Sequence, residues 1–314
     1  MKQDPPNCIQ IEMTEGCNLR CEFCGIRAIT EKQGQDYKFM TMETAYSIAR
    51  KIKHSGWNAR IEFAMHGEPT MNPNWVNILA LFRGQLPKHN IMLTTNGGGL
   101  LKKPGTDHWI NRAMSQLNCL AIDAYEYAGI YKKIIQRYSG DIPWYPDNKS
   151  LSPHTRRKFK DRIIVFVRDI SVSNTGTHST LNNHSGCASP KNNKMNGKRC
   201  ALPFRELSIR YNGSVAICCN DWRGYYKIGN ALEYKTIDQL WQNEAYVTAR
   251  KFLYNGLRVL DPCKGCDFRS YRVGLLPDKL GQLKLEQPDP TDYEVWRNNI
   301  NQKPISKIIK RAWE

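Results

Sequence analysis

Three cysteines near the start of the chain have the spacing of an iron–sulfur cluster site. Cys17, Cys21 and Cys24 lie four and three residues apart. Three thiolates in one loop can bind three irons of a cubane cluster, whereas electron-transfer clusters normally have four cysteine ligands. The fourth iron would keep an open coordination position, which is typical of catalytic rather than structural metal sites. A structural zinc loop could use the same three ligands and is the alternative.

The segment from Cys17 to Cys24 resembles the CxxxCxΦC signature of the radical S-adenosylmethionine (SAM) enzymes, in which Φ is aromatic and is Phe23 here. The resemblance implies that the open iron of a 4Fe–4S cluster chelates SAM. It also implies that one electron from the reduced cluster cleaves SAM to methionine and a 5′-deoxyadenosyl radical, which abstracts a hydrogen atom from the substrate. An electron donor such as flavodoxin or ferredoxin would reduce the cluster.

The elements that must position this loop alternate between strands and helices. Alternation of this kind is typical of a parallel sheet, and parallel α/β barrels have their active sites at the carboxyl ends of the strands. The family resemblance implies an α/β fold, with a partial (βα)6 TIM-like barrel. Loops are predicted at 25–40, 139–162 and 171–199. Strands are predicted at 8–13, 61–65, 91–95, 117–122 and 163–167, and helices at 41–53, 74–82, 106–115 and 126–138.

Short polar motifs follow three of the predicted strands. One resembles the family's GGEP element, with His66 in place of its first glycine, and another resembles its TNG segment. The alternatives are a strand-end turn at Asn96 and a helix N-cap at Asp123. The sequence does not identify a catalytic acid, base or nucleophile. The resemblance implies these cofactor-binding residues: Phe23, Gly67, Glu68, Pro69, Thr95, Asn96 and Asp123.

A second set of cysteines follows in the C-terminal half of the chain. The turn Asn212-Gly213 between two alternating segments predicts a β-hairpin that ends at Cys218-Cys219. An amphipathic helix near 236–241 and a CxxC turn come next. Four thiolates can complete the ligand set of a cubane cluster, although they would also suit a structural zinc site. Because neighbouring strand residues face opposite sides, one of the paired cysteines should be a ligand and the other should pack.

This second set resembles the SPASM or twitch auxiliary-cluster domain, which is a β-hairpin plus a helix. The two-cluster form has a further cysteine soon after the CxxC pair, and none follows Cys266. The resemblance therefore implies one auxiliary 4Fe–4S cluster, and its pattern favours Cys218 over Cys219. We expect Cys8, Cys119 and Cys187 to be packing residues. The implied ligands are Cys200, Cys218, Cys263 and Cys266.

The chain is strongly basic, with a formal net charge of +17 and a pI near 9.4. Such a charge suggests a polyanionic partner, namely DNA, RNA or a nucleotide; solvated surface lysines without a partner are the alternative. Basic residues concentrate at 156–162, 191–199 and 307–311. We predict three units: a radical SAM barrel at 1–175, an auxiliary-cluster domain at 176–285 and a basic helical tail at 286–314.

The predicted substrate is a nucleic-acid base or nucleotide, for example a hypermodified thymine in DNA, because basic and aromatic residues suit phosphate contacts and base stacking. The alternative is a ribosomal peptide that is oxidised, epimerised or crosslinked, or a small metabolite. Only 16 residues precede Cys17, too few for a leader-binding domain, which disfavours the peptide. Two interpretations from other classes are a zinc-stabilised nucleic-acid-binding protein without catalysis and a ferredoxin-like electron carrier.

The eleven cysteines also bear on the compartment. The first residues have no apolar segment of a secretory signal, and no apolar run approaches the roughly 20 residues of a membrane span. Without export, so many cysteines indicate metal or redox chemistry rather than a disulfide framework. The predicted location is therefore a reducing cytoplasm, with no membrane partner.

Overall fold

The computed structural model describes residues 3–21, 23–33, 36–101, 109–123, 133–134, 136–138, 144–145, 162–167, 182–188, 195 and 197–268. Two short strands form an antiparallel ribbon, β2 with β3, and the other described strands form one sheet. Its order is β11-β10-β9-β1-β4-β5-β6-β8-β7. In chain order the strands are β1 (Cys8–Ile11), β2 (Thr14–Glu15), β3 (Lys38–Phe39), β4 (Arg60–Phe63), β5 (Ile91–Thr95), β6 (Cys119–Asp123), β7 (Trp144–Tyr145), β8 (Ile163–Val167), β9 (Glu206–Ile209), β10 (Ser214–Ala216) and β11 (Gly229–Asn230).

The strands from β1 to β8 that lie in the main sheet are all parallel to their neighbours, as the predicted α/β fold requires. Each predicted strand is present within a few residues of its expected bounds. β7 was not expected, because it lies inside the predicted loop 139–162. It precedes β8 in the chain but pairs with the outer edge of β8.

Most of the described helices contribute buried apolar residues to the same core as the strands. α2 shows why its sequence folds this way, since Ala45, Ile48, Ala49 and Ile52 recur on one buried face. None of the described helices is long and apolar enough to cross a membrane. The α-helices whose bounds the structure describes are α1 (Ile26–Gln33), α2 (Met42–Ser55), α3 (Trp75–Gln85), α4 (Trp109–Gln116), α5 (Leu202–Arg205), α6 (Ile237–Trp241), α7 (Glu244–Tyr254) and α8 (Asp261–Lys264). Short 3-10 helices occur at Pro69–Met71, Gly98–Leu101 and His184–Gly186.

The prediction that residues 25–40 form a loop is wrong, because this segment contains α1 and β3. Ile26 and Ile29 lie on one face of α1 and are buried against Trp222. Because that partner comes much later in the chain, local composition could not indicate the helix. Most of the helix predicted at 126–138 lies outside the described residues.

The auxiliary hairpin continues the sheet of the N-terminal half. β9 pairs in parallel with β1, with Ile9 opposite Leu207 and Ile11 opposite Ile209. On the helical side, the indole nitrogen of Trp57 donates to Asp238 at 3.0 Å. One apolar core therefore spans both halves. The domain boundaries at 175 and 285 stay a prediction, since both positions lie outside the described residues.

Candidate cofactor site

Two glycines hold the first cysteine loop against the end of β4. Gly16 directly precedes Cys17, has φ 126° and forms a parallel bridge with Gly67. The amide of Glu68 donates to the carbonyl of Gly16 at 2.9 Å. A Cβ on Gly67 would lie 2.1 Å from the carbonyl oxygen of Thr14. Only glycine allows the two backbones to approach this closely.

The three thiols of this loop lie near one another in a partly buried environment. The pKa of Cys17 is raised to about 11 and that of Cys24 to about 12, mainly by burial and in smaller part by the charge of Cys21. The amide of Leu19 donates to the Cys17 sulfur at 3.4 Å and opposes this effect. Thiols with raised pKa values ionise at neutral pH only when a metal displaces the proton. The donor set therefore fits three thiolate ligands of a bound cluster.

Glu68 ties the ends of two strands together. Its buried carboxylate accepts hydrogen bonds from the Thr95 hydroxyl at 2.5 Å and the Asn96 amide at 2.8 Å, beyond the end of β4. It also accepts from both the amide and the hydroxyl of Thr70. Burial raises the pKa of Glu68, while these donors act in the opposite direction. The carboxylate thus has chain partners that hold the strand ends in place.

The other predicted cofactor residues lie at the same edge of the sheet. The side-chain amide of Asn96 lies 2.9 Å from Asn18 Oδ1 and 3.6 Å from the Cys17 sulfur. Asp123 is buried at the carboxyl end of β6, and Phe23 is half-buried inside the cysteine loop. Beside the glycine bridge, the hydroxyl oxygen of Thr14 is buried and has no hydrogen-bond partner in the described part of the chain. A polar ligand at this edge would give that hydroxyl a partner.

The second cysteine set is also brought together. Burial raises the pKa of Cys218 well above its ordinary value, and the charges of the adjacent Cys219 and then of Cys200, Cys263 and Cys266 also act to raise it. Cys219 instead faces Glu206, which accepts hydrogen bonds from its thiol and from its amide at 2.9 Å. Cys219 thus has a carboxylate partner within the chain, and Cys218 stays the predicted ligand of the pair.

The remaining cysteines occupy different environments. Cys8 and Cys119 are buried at the first residues of β1 and β6, at the opposite end of the sheet from the cysteine loop. Cys187 lies closer to the first set than expected, because it packs on the same apolar cluster as Cys17 and Cys24. Within the described residues, no three His, Cys, Asp or Glu side chains are arranged to hold a single metal ion.

Two histidines that the sequence did not assign enclose Trp222. The ring of His66 lies 4.7 Å from the Trp222 ring, and that of His184 lies 4.9 Å from it. His66 Nε2 is 2.9 Å from the carbonyl oxygen of Cys219, and His184 Nδ1 accepts from the Gly25 amide at 2.8 Å. The histidines therefore contact residues beside each cysteine set. The substitution of His66 for the glycine of GGEP was the one available signal.

A buried charge network extends from His66. Its Nδ1 lies 2.6 Å from Glu12 Oε2, and the other oxygen of Glu12 lies 3.7 Å from Arg210 Nε. Arg210 also pairs with Glu15. Burial acts to raise the pKa of Glu12, but His66 and Arg210 outweigh it, so the pKa is lowered. The network holds the β1 end, β4 end and hairpin turn together.

Comparisons with known proteins agree with this architecture. A family model described as the radical SAM superfamily matches residues 11–112, and a model described as an iron–sulfur cluster-binding domain, SPASM, matches residues 200–267. The second match favours iron–sulfur ligation over the zinc alternative.

Similar solved structures have low sequence identity. BtrN in complex with AdoMet and 2-DOIA is 17% identical, with a TM-score of 0.61 over 85% of this chain and 95% of BtrN. Selenomethionine BtrN in an open conformation is 17% identical, with a TM-score of 0.57 over 84% of this chain and 94% of that one. At this identity the likeness establishes the fold alone.

Proposed function

Because this chain belongs to the radical SAM superfamily, and is therefore an enzyme that uses 4Fe–4S clusters and SAM, we propose that it abstracts a hydrogen atom from an anionic substrate of the nucleotide or nucleic-acid class. When bound, the first cluster supplies the electron that cleaves SAM to methionine and a 5′-deoxyadenosyl radical. The ligands of that cluster would be Cys17, Cys21 and Cys24. Those of the auxiliary cluster would be Cys200, Cys218, Cys263 and Cys266.

The protein's own residues would position the cofactor by backbone approach and by fixed strand ends. The close backbone contact between Gly16 and Gly67 seats the cysteine loop on the end of β4. Glu68 accepts from the Thr95 hydroxyl and the Asn96 backbone amide, and so holds this strand end beside the Cys17 sulfur. Such preorganised polar groups position a ligand without reorganising when it binds.

The observation that carries the cleavage proposal is the seating of the three-thiol loop on the glycine bridge at the carboxyl edge of the sheet. The Cys17→Ala variant should lose SAM cleavage, measured as 5′-deoxyadenosine released by the anaerobically reconstituted enzyme under dithionite. The matched control, Cys8→Ala, removes a thiol from the opposite end of the sheet and should retain cleavage. The wild-type chain should bind about eight irons, as two cubanes require. Retained cleavage in both variants would contradict the ligand assignment.

The substrate proposal is supported by the net charge of +17. Most of the basic residues at 156–162, 191–199 and 307–311 lie outside the described residues, so this support comes from composition. Single-stranded DNA and RNA should bind at low ionic strength, and the affinity should fall steeply as salt is added. A nucleobase substrate must be unpaired or flipped to reach the site. Absence of binding at low salt would reject the nucleic-acid class.

A small metabolite is the second candidate, and the likeness to BtrN supports it. That structure holds AdoMet and 2-DOIA, and this chain matches 95% of its length. The discriminating assay is SAM cleavage stimulated by added substrate, with oligonucleotides in one series and small polar metabolites in the other. Stimulation only in the second series would replace the first proposal.

A further inference from the structure

The two residues that follow Cys24 use their main-chain groups in different hydrogen bonds. The main chain of Ile26 hydrogen-bonds the Cys24 sulfur and lowers the pKa of that thiol against the effect of burial. The amide of Gly25, which lies between them, instead donates to His184 Nδ1 at 2.8 Å. Amides beside a cluster can donate to its sulfurs, whereas the Gly25 amide donates to a histidine of the chain.

The segment that carries His184 is held firmly. Asn183 is fully buried, and its side chain donates to the carbonyl of Gly265 at 2.6 Å. The backbone amide of Asn183 donates to the Asp267 carboxylate at 2.7 Å. These contacts fix the segment to the CxxC turn of the auxiliary set. His184 and Ser185 have φ values of 47° and 55°, a conformation that non-glycine residues keep only where their surroundings impose it.

The ring of His184 is fixed by packing as well. It stacks on Trp222 with an interplanar angle of 20°. Trp222 in turn fills the space beside Gly25, where an added Cβ would lie 2.6 Å from the indole ring. The acceptor nitrogen therefore has a defined position relative to the Gly25 amide.

We propose that His184 is a positioning residue that keeps the Gly25 amide away from the cluster bound by Cys17, Cys21 and Cys24, and so keeps the reduction potential of that cluster low. Hydrogen bonds to the sulfurs of a cluster and exposure to solvent are among the factors that set its potential. A donated N–H stabilises the more negative, reduced state, so its diversion lowers the potential. The inference rests on the proposed cluster ligands.

The test uses variants that separate the acceptor from the ring. His184→Asn keeps an acceptor atom two bonds from Cβ and tolerates a positive φ. His184→Phe keeps a ring on Trp222 without an acceptor, and His184→Gly has no acceptor but relieves the strained backbone. The midpoint potential is measured by redox titration followed by EPR, for the cluster whose signal changes when SAM is added.

The Phe and Gly variants should shift this potential to more positive values. The ratio of reduced to oxidised cluster at a fixed applied potential should rise by up to about tenfold, which corresponds to about 59 mV for one electron. The Asn variant should remain close to the wild type, and the auxiliary cluster should keep its potential in all variants. An unchanged potential in both acceptor-less variants, or an equal shift in the Asn variant, would overturn the inference. Wild-type protein whose cluster signals do not respond to SAM would contradict the proposed function instead.

Discussion

Replacement of Gly67 by alanine tests whether the glycine bridge seats the cysteine loop. The new Cβ would lie 2.1 Å from the Thr14 carbonyl oxygen and 2.5 Å from that of Gly16, whereas ordinary contact begins at 3.4 Å. The loop must therefore retreat by more than about 1 Å. Overpacking of this kind costs about 1–3 kcal/mol, and loss of the hydrogen bond from Glu68 to Gly16 adds about 1 kcal/mol. We expect a loss of about 2–4 kcal/mol of unfolding free energy.

The expected shift can be measured by anaerobic thermal unfolding and by SAM binding. A loss of this size should lower Tm by about 3–6 °C in a chain of this length, and SAM affinity should fall at least about tenfold as the loop moves. The matched control is Gly84→Ala, because Gly84 is an exposed residue of α3 and an added Cβ meets nothing within 4 Å. The Gly84→Ala variant should have a free energy of unfolding about 0.5–1 kcal/mol higher than the wild type. If Gly67→Ala kept both the wild-type Tm and the wild-type SAM affinity, the bridge would have no role in seating the loop.

Four further substitutions probe the rest of the site. Cys218→Ala should lose about half of the bound iron, whereas Cys219→Ala should keep it, as iron analysis will show; the reverse result would exchange their roles. Glu68→Gln places an amide group among four hydrogen-bond donors and should lower the free energy of unfolding, measured by thermal unfolding, by about 2 kcal/mol. Unchanged stability would mean that the Glu68 carboxyl is already protonated in the wild type. Glu12→Gln should lower the free energy of unfolding by about 3 kcal/mol at pH 7. Because the pKa of Glu12 is lowered from its ordinary 4.5, the difference in unfolding free energy between variant and wild type should narrow as pH falls below 4.5; a difference that widened in acid would contradict this sign.

Some elements could be predicted because their signals are local. The ends of α2 are specified by Thr41, whose hydroxyl accepts from the Thr44 amide at 3.2 Å, and by Gly56, with φ 68°. The hairpin turn at Gly213 likewise has the positive φ that an Asn-Gly turn requires. Each of these signals lies within a few residues of the structure it produces.

Other features depend on contacts between distant parts of the chain. α1 is stabilised by burial against Trp222, which lies far away in the sequence. The polar composition of the segment itself favoured a loop. His184 lies in a segment without periodicity, and its place follows from Asn183 and the CxxC turn. The chemistry of the candidate site could therefore be inferred from spacing, whereas the groups that surround it could be found only in three dimensions.

The pairing of β9 with β1 limits how the chain can be divided. A fragment that ended before β9 would leave the β1 edge uncovered, with a row of unsatisfied N–H and C=O groups beside Ile9 and Ile11. Exposed edges of this kind recruit strands from other molecules. Expression of the N-terminal half by itself should therefore give self-associated material.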